Sequence, residues 1–167
     1  MSNNSPRVEH FRNLQRYEQW AGARVVASLR SAHAAAVDRA SSDRARGIFG
    51  HIQMARHEWL FRLGQIPKRP WIMFPDWSVE ECAADAARLD GAWSAYLANL
   101  GDADLDGEVR YTSNEGKPFV SLRRDILTHV INHSTYHRGQ IALLVKAAGG
   151  APEATDFVLY SRQAGIG

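Results

Sequence analysis

Four long stretches of the sequence repeat apolar residues at helical spacing, and this periodicity limits the fold more than any other feature. They cover residues 8–30, 42–64, 79–100 and 121–147. Glycine and proline interrupt the pattern between them, most densely over residues 64–78. Because each such helix has one apolar stripe to bury, the four predict an all-α fold, an antiparallel four-helix bundle.

The remaining segments add smaller features to this bundle. A chain of 167 residues fits one domain spanning residues 1–167. Two short β-type runs around Asn114-Glu115-Gly116 predict a small hairpin before the last bundle helix. The tail from Ala151 to Gly167 is expected to be mostly loop, with the apolar stretch 156–160 packed back on the body.

Aromatic residues are unusually frequent in the proline-rich connection between the second and third helices. Trp71, Phe74 and Trp77 all lie within residues 64–78. A connection of this length inside a compact domain usually has a function of its own. It either folds over the core or lines a site, and the sequence leaves both interpretations open.

Charge and cysteine content exclude several classes of protein. The formal net charge is only +2 with dispersed arginines, which argues against a nucleic-acid partner. Cys82 is the single cysteine, so no internal disulfide can form. No apolar run approaches the roughly 18 residues of a membrane span, and Met1 to Pro6 lacks the apolar core of a signal peptide. We therefore expect a cytoplasmic protein without membrane contact.

Three histidines, His129, His133 and His137, follow one another at four-residue intervals in the fourth helix. On a helix they form one row. A count of about 100° per residue places His133 and His137 inside the apolar arc of that helix and His129 at its edge. An unpaired buried imidazole costs about 1–3 kcal/mol. Hydrogen bonds or a shared divalent metal ion would remove that cost, and both explanations stay open.

A third metal ligand has to come from another helix. His51 lies at the rim of the apolar stripe of the second helix, whereas His57 falls on its far side and is expected to be solvated. Three imidazoles would leave positions on the ion open for water or substrate. Ser134 stands where a zinc protease helix carries its glutamate, which excludes that class of enzyme. Zinc or nickel is the expected metal, although imidazoles also bind copper and iron.

Several motifs together resemble the DinB/YfiT-like metal-binding four-helix family, whose founding members were named as DNA-damage-inducible. The resemblance covers nearly the whole chain. The matching segments are His129 to Ile141, Tyr17-Glu18-Gln19-Trp20, Gly50-His51-Ile52 with Trp59-Leu60, Gly116, and Asp156 to Tyr160.

The resemblance implies His51, His133 and His137 as the metal ligands, with His129 as a neighbour. It also implies a homodimer formed through bundle helices. The family usually carries an acidic residue five positions after its first ligand, and this chain has Arg56 there. A carboxylate supporting that ligand therefore cannot be carried over.

Two functions remain. Relatives in the wider superfamily use low-molecular-weight thiols, which implies a metal-dependent thiol S-transferase or a hydrolase. His129 is then the candidate catalytic residue, as a proton shuttle, with Tyr136 as a hydrogen-bond donor and Arg138 as an anion anchor; each also has a structural explanation. The alternative is a non-catalytic metal-binding stress-response protein. A DNA-repair role would rest only on the family's name, and the low charge argues against it.

Overall fold

The computed structural model describes residues 5–35 and 37–165 and confirms the all-α four-helix bundle with a small hairpin before the last bundle helix. Of the stretch Met1 to Pro6, which was expected to lack the apolar core of a signal peptide, residues 1–4 lie outside the described residues. The elements are α1 Pro6–Ala35, α2 Arg39–Arg62, α3 Val79–Ala98, a 3-10 helix Asp102–Asp106, β1 Glu108–Thr112, β2 Pro118–Leu122, α4 Arg123–Ala147 and α5 Phe157–Gln163.

Helix ends follow from local capping chemistry, with one correction. Ser78 and Glu81 form a capping box at the start of α3. Helix α2 was expected to begin at residue 42, but it begins at Arg39 and is capped by Asp38, whose side chain accepts a hydrogen bond from the Ser41 amide. The apolar stripe that gave the prediction starts later than the backbone helix, because the first turns of α2 carry mainly polar residues.

Each of α1 and α2 packs on both α3 and α4. The helices α2 and α3 run in the same direction: Arg46 near the start of α2 hydrogen-bonds the Trp77 carbonyl just before α3, and Arg56 further along α2 bonds Asp90 further along α3. The chain between them, residues 63–78, must therefore return along the bundle. We call it the return segment.

The return segment runs beside α2 from its end to its beginning. The Lys68 ammonium lies 5.7 Å from the Phe61 ring centre, and Arg69 donates to the Gln53 carbonyl at 3.3 Å. Further along, Met73 reaches His51. The return segment therefore covers the middle of α2.

Close approach of the return segment depends on Gly50. A Cβ atom at Gly50 would lie 2.7 Å from Cγ of Pro75, and both residues are buried. Such a separation requires one of the two backbones to move. Glycine in a helix interior is otherwise unfavourable, so its presence at this position is explained by the contact with Pro75.

Cys82 is fully buried, and His57 is buried too, against expectation. His57 was predicted to be solvated and is only 5% exposed. The prediction was wrong because it counted only the residues of α2, while Arg69 of the return segment and Asp85 and Arg88 of α3 lie close enough to act on the imidazole. Burial first, then the charges of Arg69 and Arg88, lower the pKa of His57 to about 4, and Asp85 opposes the shift.

The hairpin and the tail complete the fold. β1 and β2 pair antiparallel, with Tyr111 opposite Phe119. The tail was expected to be mostly loop, but it contains α5, and its buried Tyr160 packs 5.7 Å from the Tyr17 ring as the prediction of a returning apolar segment requires. Among the described residues, helices of the length and apolarity needed to cross a bilayer are absent.

Replacing Gly50 with alanine should destabilise the protein by about 1–3 kcal/mol, because the new methyl group overlaps Pro75. The control is Gly47→Ala, where a Cβ meets only the Phe74 Cβ at 3.8 Å, and which should gain about 0.5–1 kcal/mol from helix propensity. Urea unfolding measures both changes. Equal stabilisation by the two substitutions would contradict the packing role of Gly50.

His57 should make the folded state less stable as the pH falls from about 6.5 towards 4, because the unfolded chain takes up a proton that the buried imidazole refuses. The contribution approaches about 1.4 kcal/mol per pH unit within that window. Urea unfolding of metal-free protein at pH 7 and pH 5 should show a weaker pH dependence for His57→Gln than for wild type. The exposed His33 provides a control, and His33→Gln should behave as wild type.

Candidate metal centre

Helices α2 and α4 bring three predicted histidines together at mid-bundle. One ligand nitrogen from each of His51, His133 and His137 lies within 4.8 Å of the others, and all three residues are half-buried. The Nε2 atoms of His51 and His133 are 3.2 Å apart. His133 and His137 stack one helical turn apart with ring centres separated by 4.5 Å, as their spacing on α4 requires.

Hydrogen bonds on the outer side fix the orientation of two of these rings. Nδ1 of His51 donates to the Met73 carbonyl at 2.9 Å, and Nδ1 of His137 donates to Oε1 of Gln140 at 2.8 Å. Both oxygen atoms can only accept, so both Nδ1 atoms carry the proton. In the neutral form of each ring, the Nε2 atom of His51 or His137 then carries the lone pair.

The surroundings keep two of the three imidazoles, those of His51 and His133, uncharged at neutral pH. Burial, followed by the charges of His137, His51 and His129, lowers the pKa of His133 to about 3. Burial and the charge of His137 also lower the pKa of His51, against the opposing effect of the Met73 carbonyl. At neutral pH these two imidazoles have lone pairs available without losing a proton, which is the form that metals bind.

The donor set fits a divalent ion. Bonds of about 2.0–2.1 Å from nitrogen to zinc place neighbouring ligands roughly 3.3 Å apart in a tetrahedral site, close to the 3.2 Å between His51 and His133. Hydrogen bonding alone satisfies the cluster less well. His133 can donate one Nε2 proton, whereas both His51 and His137 present acceptors.

His129 lies beside the cluster rather than in it. Its ring centre is 5.7 Å from that of His133 and 5.5 Å from Trp59, and its side chain is exposed. The row of three histidines in the sequence therefore contributes two members to the cluster. The third comes from α2, as the position of His51 on its helix indicated.

Tyr136 and Arg138, the two other residues for which the sequence suggested a role, lie in different surroundings. Tyr136 is 67% exposed, with its ring 5.1 Å from that of His137, so its hydroxyl stays available at the edge of the cluster. Arg138 is buried, 2.5 Å from Glu18, and it also donates to the Tyr17 hydroxyl at 2.8 Å. Of its two expected roles, Arg138 therefore has the structural one.

Arg56 replaces the acidic residue of the family pattern and belongs to the core. Its guanidinium bonds Oε1 of Gln53 at 3.0 Å and Asp90 at 2.6 Å. The imidazoles of His51 and His137 are held by a backbone carbonyl and an amide side chain instead. Sequence reasoning missed both of these acceptors; Gln140 could have been found from its position three residues after His137, but a backbone carbonyl leaves no signal in the sequence.

The aromatic return segment lines this site. Trp71 and Phe74 have ring centres 6.0 Å and 5.4 Å from that of His51. Because the Met73 carbonyl between them accepts from the same imidazole, this part of the segment touches a site residue directly. The segment therefore combines the two interpretations that the sequence left open: it covers α2 at Pro75 and borders the histidine cluster at Trp71 and Phe74.

The model of the DinB family matches residues 1–166 of the chain. The chain belongs to the DinB family. It is 50% identical over 36 residues to Protein DinB of Bacillus subtilis (strain 168), a match that spans 22% of this chain and only 21% of that protein. The crystal structure of a DinB-like protein from Bacillus cereus ATCC 10987 aligns with a TM-score of 0.63 at 20% identity, over 87% of this chain and 95% of that one. At that identity the likeness concerns the fold alone.

Proposed function

We propose that this DinB-family protein binds one divalent metal ion, zinc or nickel, through His51, His133 and His137. The observation that carries the proposal is that one ring nitrogen from each of the three histidines lies within 4.8 Å of the others, while Nδ1 of His51 and of His137 is occupied by an outward hydrogen bond. The Nε2 lone pairs of neutral His51 and His137 cannot hydrogen-bond each other, whereas a cation satisfies all three rings at once. Support comes from the lowered pKa of His51 and His133, which keeps both neutral.

The function that fits this centre best is metal-dependent thiol S-transfer or hydrolysis, with a low-molecular-weight thiol or another small molecule as substrate. A three-imidazole ion has open positions and lowers the pKa of a water molecule or thiol bound there. Met73 and Gln140 hold the imidazoles of His51 and His137 in place, and the rings of Trp71 and Phe74 lie beside His51. His129, next to His133, is the candidate residue to take up the released proton.

The alternative function is a non-catalytic metal-binding role in stress response. We also propose that the protein forms a homodimer through its bundle helices. The two functions differ in what the metal does for folding. A purely structural ion should contribute much of the folding free energy. An ion on a preformed bundle should come away with little loss of helix, which circular dichroism of the metal-free protein measures.

Purified protein incubated with zinc or nickel should retain about one ion per chain by elemental analysis, because three imidazoles converge on one point. His133→Ala and His137→Ala should lose most of it. His129→Ala is the matched control from the same helix and should keep the ion. The proposal fails if the wild type holds no stoichiometric metal with either ion.

Removing the acceptor on His137 should weaken metal binding without removing a ligand. Gln140→Leu leaves Nδ1 of His137 without its partner, and losses of about 10–100-fold in metal affinity are typical of such changes. Gln140→Glu keeps an acceptor and should bind at least as tightly as wild type. Competition against a chelator of known affinity measures the three proteins; equal affinities for all three would contradict the role of Gln140.

A further inference from the structure

A cleft of about 840 Å³ opens beside His137. It lies between the first half of α2, the second half of α4 and the return segment. Its walls are mainly apolar and include Ile48, Phe74, Tyr136 and Leu144. Clefts of about 300–1,000 Å³ with apolar walls are typical of small-molecule sites, and this one ends at a residue of the proposed metal centre.

Large apolar side chains at the mouth of this cleft are exposed to an unusual degree. Phe74 is 57% exposed and Leu143 is 74% exposed. Together with Tyr136 they border the same opening. Adjoining apolar groups that water surrounds mark a surface with a binding function more often than a single exposed residue does.

Charges on the rim of the cleft largely compensate one another. Arg46 bridges Asp43 at 3.3 Å and Asp76 at 3.0 Å, and it also donates to the Trp77 carbonyl. Arg44, the other cation on the rim, is exposed to solvent. The charges thus stay at the rim while the walls are mainly apolar, which favours an uncharged, apolar group inside the cleft.

The cleft has free space beside Gly47 because this residue has no side chain. A Cβ atom at this position would meet only the Phe74 Cβ, at an ordinary 3.8 Å. Packing therefore does not require glycine here, in contrast to Gly50 one turn later. Because Gly47 lines the cleft, a larger side chain would occupy that space.

We propose that this cleft binds the uncharged, apolar part of a small substrate whose donor atom, sulfur or oxygen, reaches the metal centre at His137. The inference rests on the proposed function and deepens it, because it assigns the substrate class: a metal-binding head with an apolar tail. Gly47, Phe74 and Leu143 then determine how long and how wide that tail can be.

Hydroxamates of increasing chain length test the proposal, because the head binds metal ions and the tail is uncharged. With zinc-loaded protein, affinity should rise about fourfold per methylene from acetohydroxamate to octanohydroxamate as the tail fills the cleft. Gly47→Leu should abolish this rise and leave metal content and acetohydroxamate affinity unchanged. Gly91→Leu, at an exposed helical glycine of α3 with nothing within 4 Å, is the matched control and should keep the rise.

The outcomes separate the two proposals. If metal and acetohydroxamate bind but affinity does not grow with chain length, or if both leucine variants respond alike, the cleft assignment is overturned and the metal centre stands. If Gly47→Leu converts a dimer into a monomer on size-exclusion chromatography, the cleft belongs to a second copy and the assignment is again overturned. Absence of bound metal defeats the proposed function, and this inference with it.

Discussion

The parallel direction of α2 and α3 is the constraint on which the site depends. Two adjacent helices that run the same way cannot be joined by a tight turn, so the chain has to travel back along the bundle. In this protein it travels beside α2, and it supplies the Met73 carbonyl and the Phe74 ring on the way. The connection is thus part of the site because of the topology of the bundle.

Two arginines in the interior of the bundle are each paired with a carboxylate on a facing helix. Arg138 pairs with Glu18 across α4 and α1, and Arg56 pairs with Asp90 across α2 and α3. Buried ion pairs of this kind are weak sources of stability, and breaking one by removing a partner is costly. The helix α4 therefore presents imidazoles to α2 and a guanidinium to α1, and these contacts restrict how the helices can be arranged.

The sequence could predict those parts of the arrangement that depend on the residues of a single helix. The spacing of His133 and His137 places both on one face whatever surrounds them, and the apolar stripe of α2 places His51 at its rim. His57 shows the limit: its burial depends on Arg69 and on α3, which no count along α2 includes. The start of α2 at Arg39 was missed because apolar periodicity indicates where a helix is buried, and the backbone of a helix can begin before its buried part.

The glycines of α2, Gly47 and Gly50, stand in different relations to the chemistry of the site. Gly50 fixes the distance between α2 and the return segment, so any larger residue there disturbs the support of His51 together with the fold. A side chain at Gly47 would meet only the Phe74 Cβ, at an ordinary 3.8 Å, so the spacing between α2 and the return segment does not depend on this glycine. Substitutions at Gly47 could therefore reshape the cleft while the three histidines stay in place, whereas Gly50 offers no such freedom. One helical turn thus separates a position that can vary from one that cannot.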